Sequence, residues 1–368
     1  MPIELNKTEM LTSKNDFTKD QYRELQFENK RLSSRLVKIA AVQENIIEAI
    51  TSTCKALPSE NPPKIDVGKA PKRYPEERAV LNISDSQIGS YVSKYLTGGL
   101  CEYNKTEFVK RIKRLTHNML EITRIQRTGG VPVKKLNLHF LGDVVQGESI
   151  YPGQGFYLDA LLLEQTFELA SRFVFDVIIP LSREFEQVEI FCIPGNHGRQ
   201  AGPRNSSREA NWDYVAYIFW RQLLKEYKHI KLYISQSPFL IYELFPGQLH
   251  ALIHGNQAKG WMGFPYYGID RVFGRLKTLT NLPIQYLYHG HHHQPASMDA
   301  HIGRKIGNGS IEGGSEYSVC DLVTANVPQQ FYCGVNSKGI TWEYWIRLAD
   351  VPKMIADDHG IFTPIMKE

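Results

Sequence analysis

Cysteine is scarce and badly placed for cross-linking. The 368 residues hold five, Cys54, Cys101, Cys192, Cys320 and Cys333, widely scattered and with no Cys-x-x-Cys pair. That pattern excludes a disulfide framework and a zinc knuckle, and it fits a reducing, cytoplasmic setting. Long apolar runs are missing as well. No stretch approaches the roughly 18 residues that a membrane span requires. Met1 to Asp20 is polar and lacks the apolar core of a secretory leader. Neither membrane insertion nor export is expected. An excess of one charge is also absent: 43 Lys and Arg against 39 Asp and Glu leave +4, too little by itself to imply a polyanionic partner. What remains is ordinary for a folded protein, 42% hydrophobic and 22% charged, which excludes global disorder. The length suits two domains, or one large domain with an appendage.

Residues 16–57 contain neither Gly nor Pro. Leu25, Leu32, Ile39 and Ile46 recur every seven residues, and Tyr22, Asn29, Leu36, Gln43 and Ile50 occupy the complementary heptad position. This is the seam of a coiled coil. Residues 1–57 are therefore expected to form a helical segment that makes a homo-oligomer through 16–57. Asn29 and Gln43 on the seam would fix register, because a buried polar group demands a matching partner. Pro58, Pro62, Pro63, Pro71 and Pro75 mark residues 58–76 as an extended linker. The body is then 77–348, with a tail at 349–368.

The body alternates strand and helix patterns. Strands are expected at 79–83, 136–141, 188–193, 231–234, 240–243, 249–253 and 284–288, with paired strands across 330–348 turning at 336–339. Helices are expected at 105–127, 158–185, 212–227 and 269–279, the first with Phe108, Ile112, Leu115, Met119 and Ile122 on one face. The fold class is α/β.

The apolar runs end in polar residues beside glycine: Ser84-Asp85-Ser86-Gln87, Gly142-Asp143, Gly195-Asn196-His197, His254-Gly255 and Gly290-His291-His292-His293. Strand carboxyl ends hold side chains rigidly, and the loops beyond them can converge on one crevice. Carboxylates, an amide and imidazoles suit Mn, Fe or Zn rather than calcium alone. No thiolate takes part, which argues against a purely structural zinc site.

Five motifs in this order, spread over 77–348, resemble the calcineurin-like metallophosphoesterase superfamily. The resemblance implies a two-sheet β-sandwich flanked by helices, holding two divalent metal ions. Mn is the first expectation, with Fe, Zn and Mg as alternatives. It implies that Asp85 binds the first metal and that Asp143 bridges both. Asn196, His254 and His291 would bind the second, and His293 the first. His197 would be the non-ligand imidazole beside the phosphate, and His292 would point away. One residue departs from the family pattern. Where the first motif usually carries His, this chain has Gln87, whose amide oxygen is a neutral and weaker donor. The other histidines, such as His117 in a helix and His139 in a strand, read as locally satisfied structural residues.

Basic and aromatic residues point to DNA as substrate. Nine Lys and Arg lie between Lys105 and Lys135. Arg199, Arg204 and Arg208 follow His197 closely, and Trp261 follows His254. Basic groups track a phosphate backbone, and exposed aromatics stack on bases. The first run reads equally well as a solvated helix face. The picture is similar to the nuclease branch of the superfamily, the exonucleases of DNA double-strand-break repair, so the expected activity is a phosphodiesterase or nuclease. Two alternatives stay open: an esterase for nucleotides or other small phosphates, and a catalytically impaired scaffold acting through its coiled coil.

Overall fold

A computed structural model describes residues 22–24, 26–31, 33–34, 48, 60–65, 75–148, 150–200, 210–259, 265–299, 303–351 and 360. The chain divides into two units, Met1–Leu57 and Pro58–Glu368. In the first, the described residues are helical and exposed, Tyr22 and Asn29 among them. The other heptad positions lie outside the described residues.

Among the described residues, the strands of the second unit form two sheets. One has the order β11-β10-β1-β2-β3-β4. It comprises β1 (Glu77–Ile83), β2 (Val133–Phe140), β3 (Gln187–Cys192), β4 (Ile230–Ile234), β10 (Gln329–Asn336) and β11 (Gly339–Arg347). β1 to β4 run parallel, and the β10–β11 hairpin closes one edge antiparallel. The second sheet has the order β5-β6-β7-β9-β8. It comprises β5 (Phe239–Phe245), β6 (Gln248–Ile253), β7 (Ile284–His289), β8 (Ala296–Asp299) and β9 (Arg304–Gly307), with β6, β7 and β9 parallel.

The pleat decides what each face packs on. Val80, Phe191, Leu252, Tyr288, Ile306 and Phe331, drawn from both sheets, meet in one buried cluster, so the sheets form a sandwich. On the other face of the first sheet, Phe140 meets Phe173 and Trp220 edge-on at 5.3 and 4.8 Å. Helices α1 (Lys105–Thr128) and α3 (Trp212–Leu223), with the helical run α2 (164–182), supply that layer. The second sheet's outer face is covered by α4 (Tyr266–Thr280) through Ile269, Phe273 and Leu276. A short α5 (Glu316–Cys320) precedes the final hairpin. The fold is thus the helix-flanked two-sheet α/β sandwich expected from the sequence.

Three local expectations need correction. The continuous helix over 158–185 is instead a run at 164–182 with π-helical stretches at Glu164–Leu169 and Val174–Ile178. The first aims the buried Gln165 inward, where its Oε1 accepts from Gly147 N (3.0 Å) and its Nε2 donates to Ala160 O (2.9 Å). The helix expected to reach 227 ends at Leu223. Strands β8 and β9 and helix α5 had no sequence signal, being only four or five residues long.

The sandwich interior contains histidines. His139 Nδ1 donates to Asn82 Oδ1, and Nε2 accepts from Tyr242 OH, both at 2.8 Å. The neutral ring is therefore satisfied, and burial pushes its pKa down to about 3. Burial lowers His250 in the same way. Unfolded, each titrates near 6.5, so below that pH the unfolded chain binds protons that the folded chain refuses. Stability should be full above pH 6.5 and fall as pH drops towards 3. From pH 7 to 5 the loss from His139 should be about 2 kcal/mol. Denaturant titration at several pH values, comparing wild type with His139→Leu, checks this; an unchanged pH slope in the variant would contradict it.

Candidate metal centre

Six parallel strands end at one place. Asp85 and Gln87 follow β1, Asp143 follows β2, and Asn196 and His197 follow β3. From the second sheet, His254 follows β6, His291 and His293 follow β7, and Glu312 follows β9. Backbone bonds stitch these loops together: Asp85 N to Gly142 O (3.1 Å), Gln87 N to Asp143 O (2.9 Å), Gly290 N to His254 O (2.9 Å) and Ile311 N to Asp85 O (3.1 Å). The loops meet at contact distance. A Cβ on Gly142, which has φ +91°, would stand 2.5 Å from Gly195 N and 2.8 Å from His254 Nδ1.

The backbone is strained here. Asp85, Gln87, Asp143, His291 and His293 all have φ between +42° and +69°. Among the described residues only Asn281 and Val323 are other non-glycine cases. Each such residue costs of order 1–3 kcal/mol and persists only where the surroundings hold it. Strain concentrated on these five marks a site whose side chains are aimed.

Around Asp143 the donors converge. His254 Nδ1 donates to Leu141 O at 2.7 Å, so its Nε2 is turned to Asp143 Oδ2 (3.1 Å) and Asn196 Oδ1 (3.0 Å). With its ring neutral, His254 brings a third lone pair to two oxygen acceptors. Only a positive centre reconciles them, either a proton on the ring or a metal ion. Burial opposes protonation of His254, but the Asp143 carboxylate overrides it and raises the pKa to about 9. Asp143 Oδ2 is buried without a hydrogen-bond partner. Ligand atoms of Asp143, His254 and His291 all lie within 4.8 Å of one another, a group able to hold a metal ion. Burial, with His254 beside it, pushes His291 down to about 3, which keeps its nitrogens available as neutral donors.

Beside this lies a second group. Asp85 is fully buried; both its oxygens accept from His291 N at 3.0 Å, and Oδ1 is 3.5 Å from His293 Nε2. The Gln87 amide reaches within 3.3 Å of the same Nε2. Burial opposes protonation of His293, yet the Asp85 charge raises it to about 9.

His197 lies beside Asp143, its side chain 19% exposed. Its backbone N–H donates to Asp143 Oδ1 (2.8 Å), its Nε2 is 4.0 Å from Asp143 Oδ2, and its Nδ1 has no hydrogen-bond partner. His292 packs its ring against His289 and His291.

The structure thus gathers Asp85, Gln87, Asp143, Asn196, His197, His254, His291 and His293. It adds residues that the sequence did not expose. Asp213, fully buried at the start of α3, accepts the N–H groups of Asp143 (3.0 Å), Val144 and Val145 (3.1 Å each) and Gly195 (2.8 Å). Burial, and then the Asp143 charge, raise its pKa to about 6. By sequence it reads as a first-turn acid behind the N-cap Asn211. Buried Arg111 of α1 donates to the carbonyls of Ile311 and Glu312 and so anchors the loop after β9.

Arg199 pairs in an isolated bridge with Asn211, next to α3. Arg204, Arg208 and Trp261 lie outside the described residues. The basic run at 105–135 is largely satisfied internally. Lys105 pairs with Glu164 (2.9 Å), Arg114 with Asp350 (2.9 Å), Lys134 with Glu186 (2.9 Å) and Lys135 with Glu76 (2.8 Å). These contacts favour its reading as a solvated, ion-paired face.

No family model matches the chain, and no curated protein does. Solved structures similar to it include three of note. Vps29 from Entamoeba histolytica complexed with zinc is 12% identical, with 73% of this chain and 92% of that one covered and a TM-score of 0.34. An archaeal phosphodiesterase is 10% identical, with 73% and 99% covered and a TM-score of 0.35. An uncharacterised protein from Streptococcus pneumoniae, described as a predicted phosphoesterase, is 12% identical, with 73% and 98% covered and a TM-score of 0.28. Function has to be read from the side chains. No helix among the described residues is long and apolar enough to cross a membrane.

Proposed function

We propose that this chain is a metal-dependent phosphoesterase of the calcineurin-like kind, acting as a phosphodiesterase on DNA. The observation that carries this reading is the convergence of two carboxylates, two amides and four imidazoles at the ends of five strands, β1, β2, β3, β6 and β7. Asp85, Gln87 and His293 would hold one ion, Asn196, His254 and His291 the other, with Asp143 between them. When bound, such a pair, Mn by preference, supplies a water acidic enough to ionise near neutral pH and positive charge for the phosphoryl oxygens.

The chain's own residues do the rest. Leu141 O holds the His254 tautomer, and Asp213 holds the backbone that presents Asp143. His197 is tethered by its own backbone N–H to Asp143 Oδ1, with its Nδ1 buried and the side chain as a whole partly exposed. Its ring would donate the proton to the leaving oxygen of the ester. Arg199, in the loop leaving His197, would meet a neighbouring phosphate.

The test is cleavage with Mn of linear and single-stranded DNA, cyclic nucleotides and chromogenic diesters. Wild type is expected to cut DNA. His197→Ala should lower the rate about 10²- to 10⁴-fold with metal content unchanged. Cleavage of small diesters but not DNA would move the substrate to nucleotides or small esters. No cleavage and no bound metal would leave a scaffold.

A further inference from the structure

Gln87 takes the place of an expected imidazole, and its surroundings show how it is used. One terminal atom of its amide lies 3.3 Å from His293 Nε2, and the other lies against both oxygens of Glu312, 3.1 Å from Oε1. An amide oxygen facing a carboxylate would set acceptor against acceptor. The atom facing Glu312 is therefore the nitrogen, which donates, and the oxygen faces His293 Nε2. Glu312 is itself held: Ser90 Oγ donates to its Oε1 at 2.6 Å, and Arg111 grips its backbone carbonyl. It is 3% exposed, so its orientation of the amide is not diluted by water.

We propose that Glu312 is a positioning residue that turns the Gln87 oxygen into the pocket of Asp85 and His293, making that pocket selective for a hard divalent cation, Mn over Zn. This rests on the two-metal reading above. A pocket of carboxylate, amide oxygen and one imidazole is richer in oxygen than the pocket of Asn196, His254 and His291, with one amide and two imidazoles, and oxygen donors favour Mn or Mg where imidazole suits Zn. A neutral amide can serve only if its oxygen is aimed, since the alternative rotamer presents a donor to the cation. An outer carboxylate that fixes a ligand is typically worth 10- to 100-fold in metal affinity.

The test is calorimetric titration of the chelator-stripped full chain with Mn and, separately, with Zn. Circular dichroism and melting of each variant confirm the fold. Wild type should take two Mn ions. Glu312→Gln should weaken one Mn site 10- to 100-fold and spare the other. Gln87→His should shift that site's preference from Mn towards Zn, and in that background Glu312→Gln should change affinity less than threefold, because no amide remains to be turned. Two Mn sites unmoved by Glu312→Gln would overturn the proposal alone, as would an equal loss in the Gln87→His background. A wild-type chain that binds neither Mn nor Zn would defeat the metal-centre reading and this proposal with it.

Discussion

Replacing Asp143 with Ala should abolish Mn-supported cleavage, by at least about 10³-fold. The figure exceeds the 10²- to 10³-fold loss typical of one stabilising group, because this side chain serves several partners at once. Its Oδ2 faces His254 Nε2 and, farther off, His197 Nε2, and its Oδ1 accepts the backbone N–H of His197. Removing it strips the shared donor from between the two groups and unties the proton donor. Metal content should fall together with rate, and this distinguishes the variant from His197→Ala, which should lose rate alone. Asp143→Asn keeps the shape but loses the charge, so it should retain the fold and still bind metal poorly. Elemental analysis beside a DNA cleavage assay reads both quantities. Full activity in Asp143→Ala would remove the carboxylate from the mechanism.

The second large effect concerns stability. Asp213→Ala should destabilise the protein by roughly 3–6 kcal/mol, taking 1–3 kcal/mol for each buried donor left unmatched and allowing some relaxation. Four backbone N–H groups from two different loops point at this one carboxylate. No solvent reaches the position to replace it, since Asp213 is 0% exposed. Urea denaturation measures the loss. Asp213→Asn, which keeps one acceptor oxygen and adds a donor among donors, should fall between. A change below about 1 kcal/mol in Asp213→Ala would mean that the two loops hold themselves.

Much of the site was legible because its residues sit at strand ends, where an apolar run breaks at a glycine followed by Asp, Asn or His. Gly142-Asp143 and Gly195-Asn196-His197 announce themselves in this way. Glu312 does not. It lies in the glycine-rich stretch after β9, and β9 is only four residues long, too short for periodicity to reveal. Asp213 was hidden by an ordinary local role, since an acid in the first turn of a helix needs no further explanation. The basic run at 105–135 could be read two ways for the opposite reason. Its charges are visible in the chain, but several of the acids that pair with them, Glu164, Glu184, Glu186 and Asp350, are far away in sequence.

The linear chain alone determined the alternation of strands and helices, the apolar faces and the order of the ligand motifs, because these depend on neighbours within a few residues. Only the tertiary structure decided which way the Gln87 amide points, what holds Asp143 in its left-handed conformation, and that two sheets bring their parallel ends to one spot. Those depend on contacts between residues more than two hundred positions apart, such as Gln87 with Glu312 and Asp85 with Ile311, and no local pattern encodes such pairings.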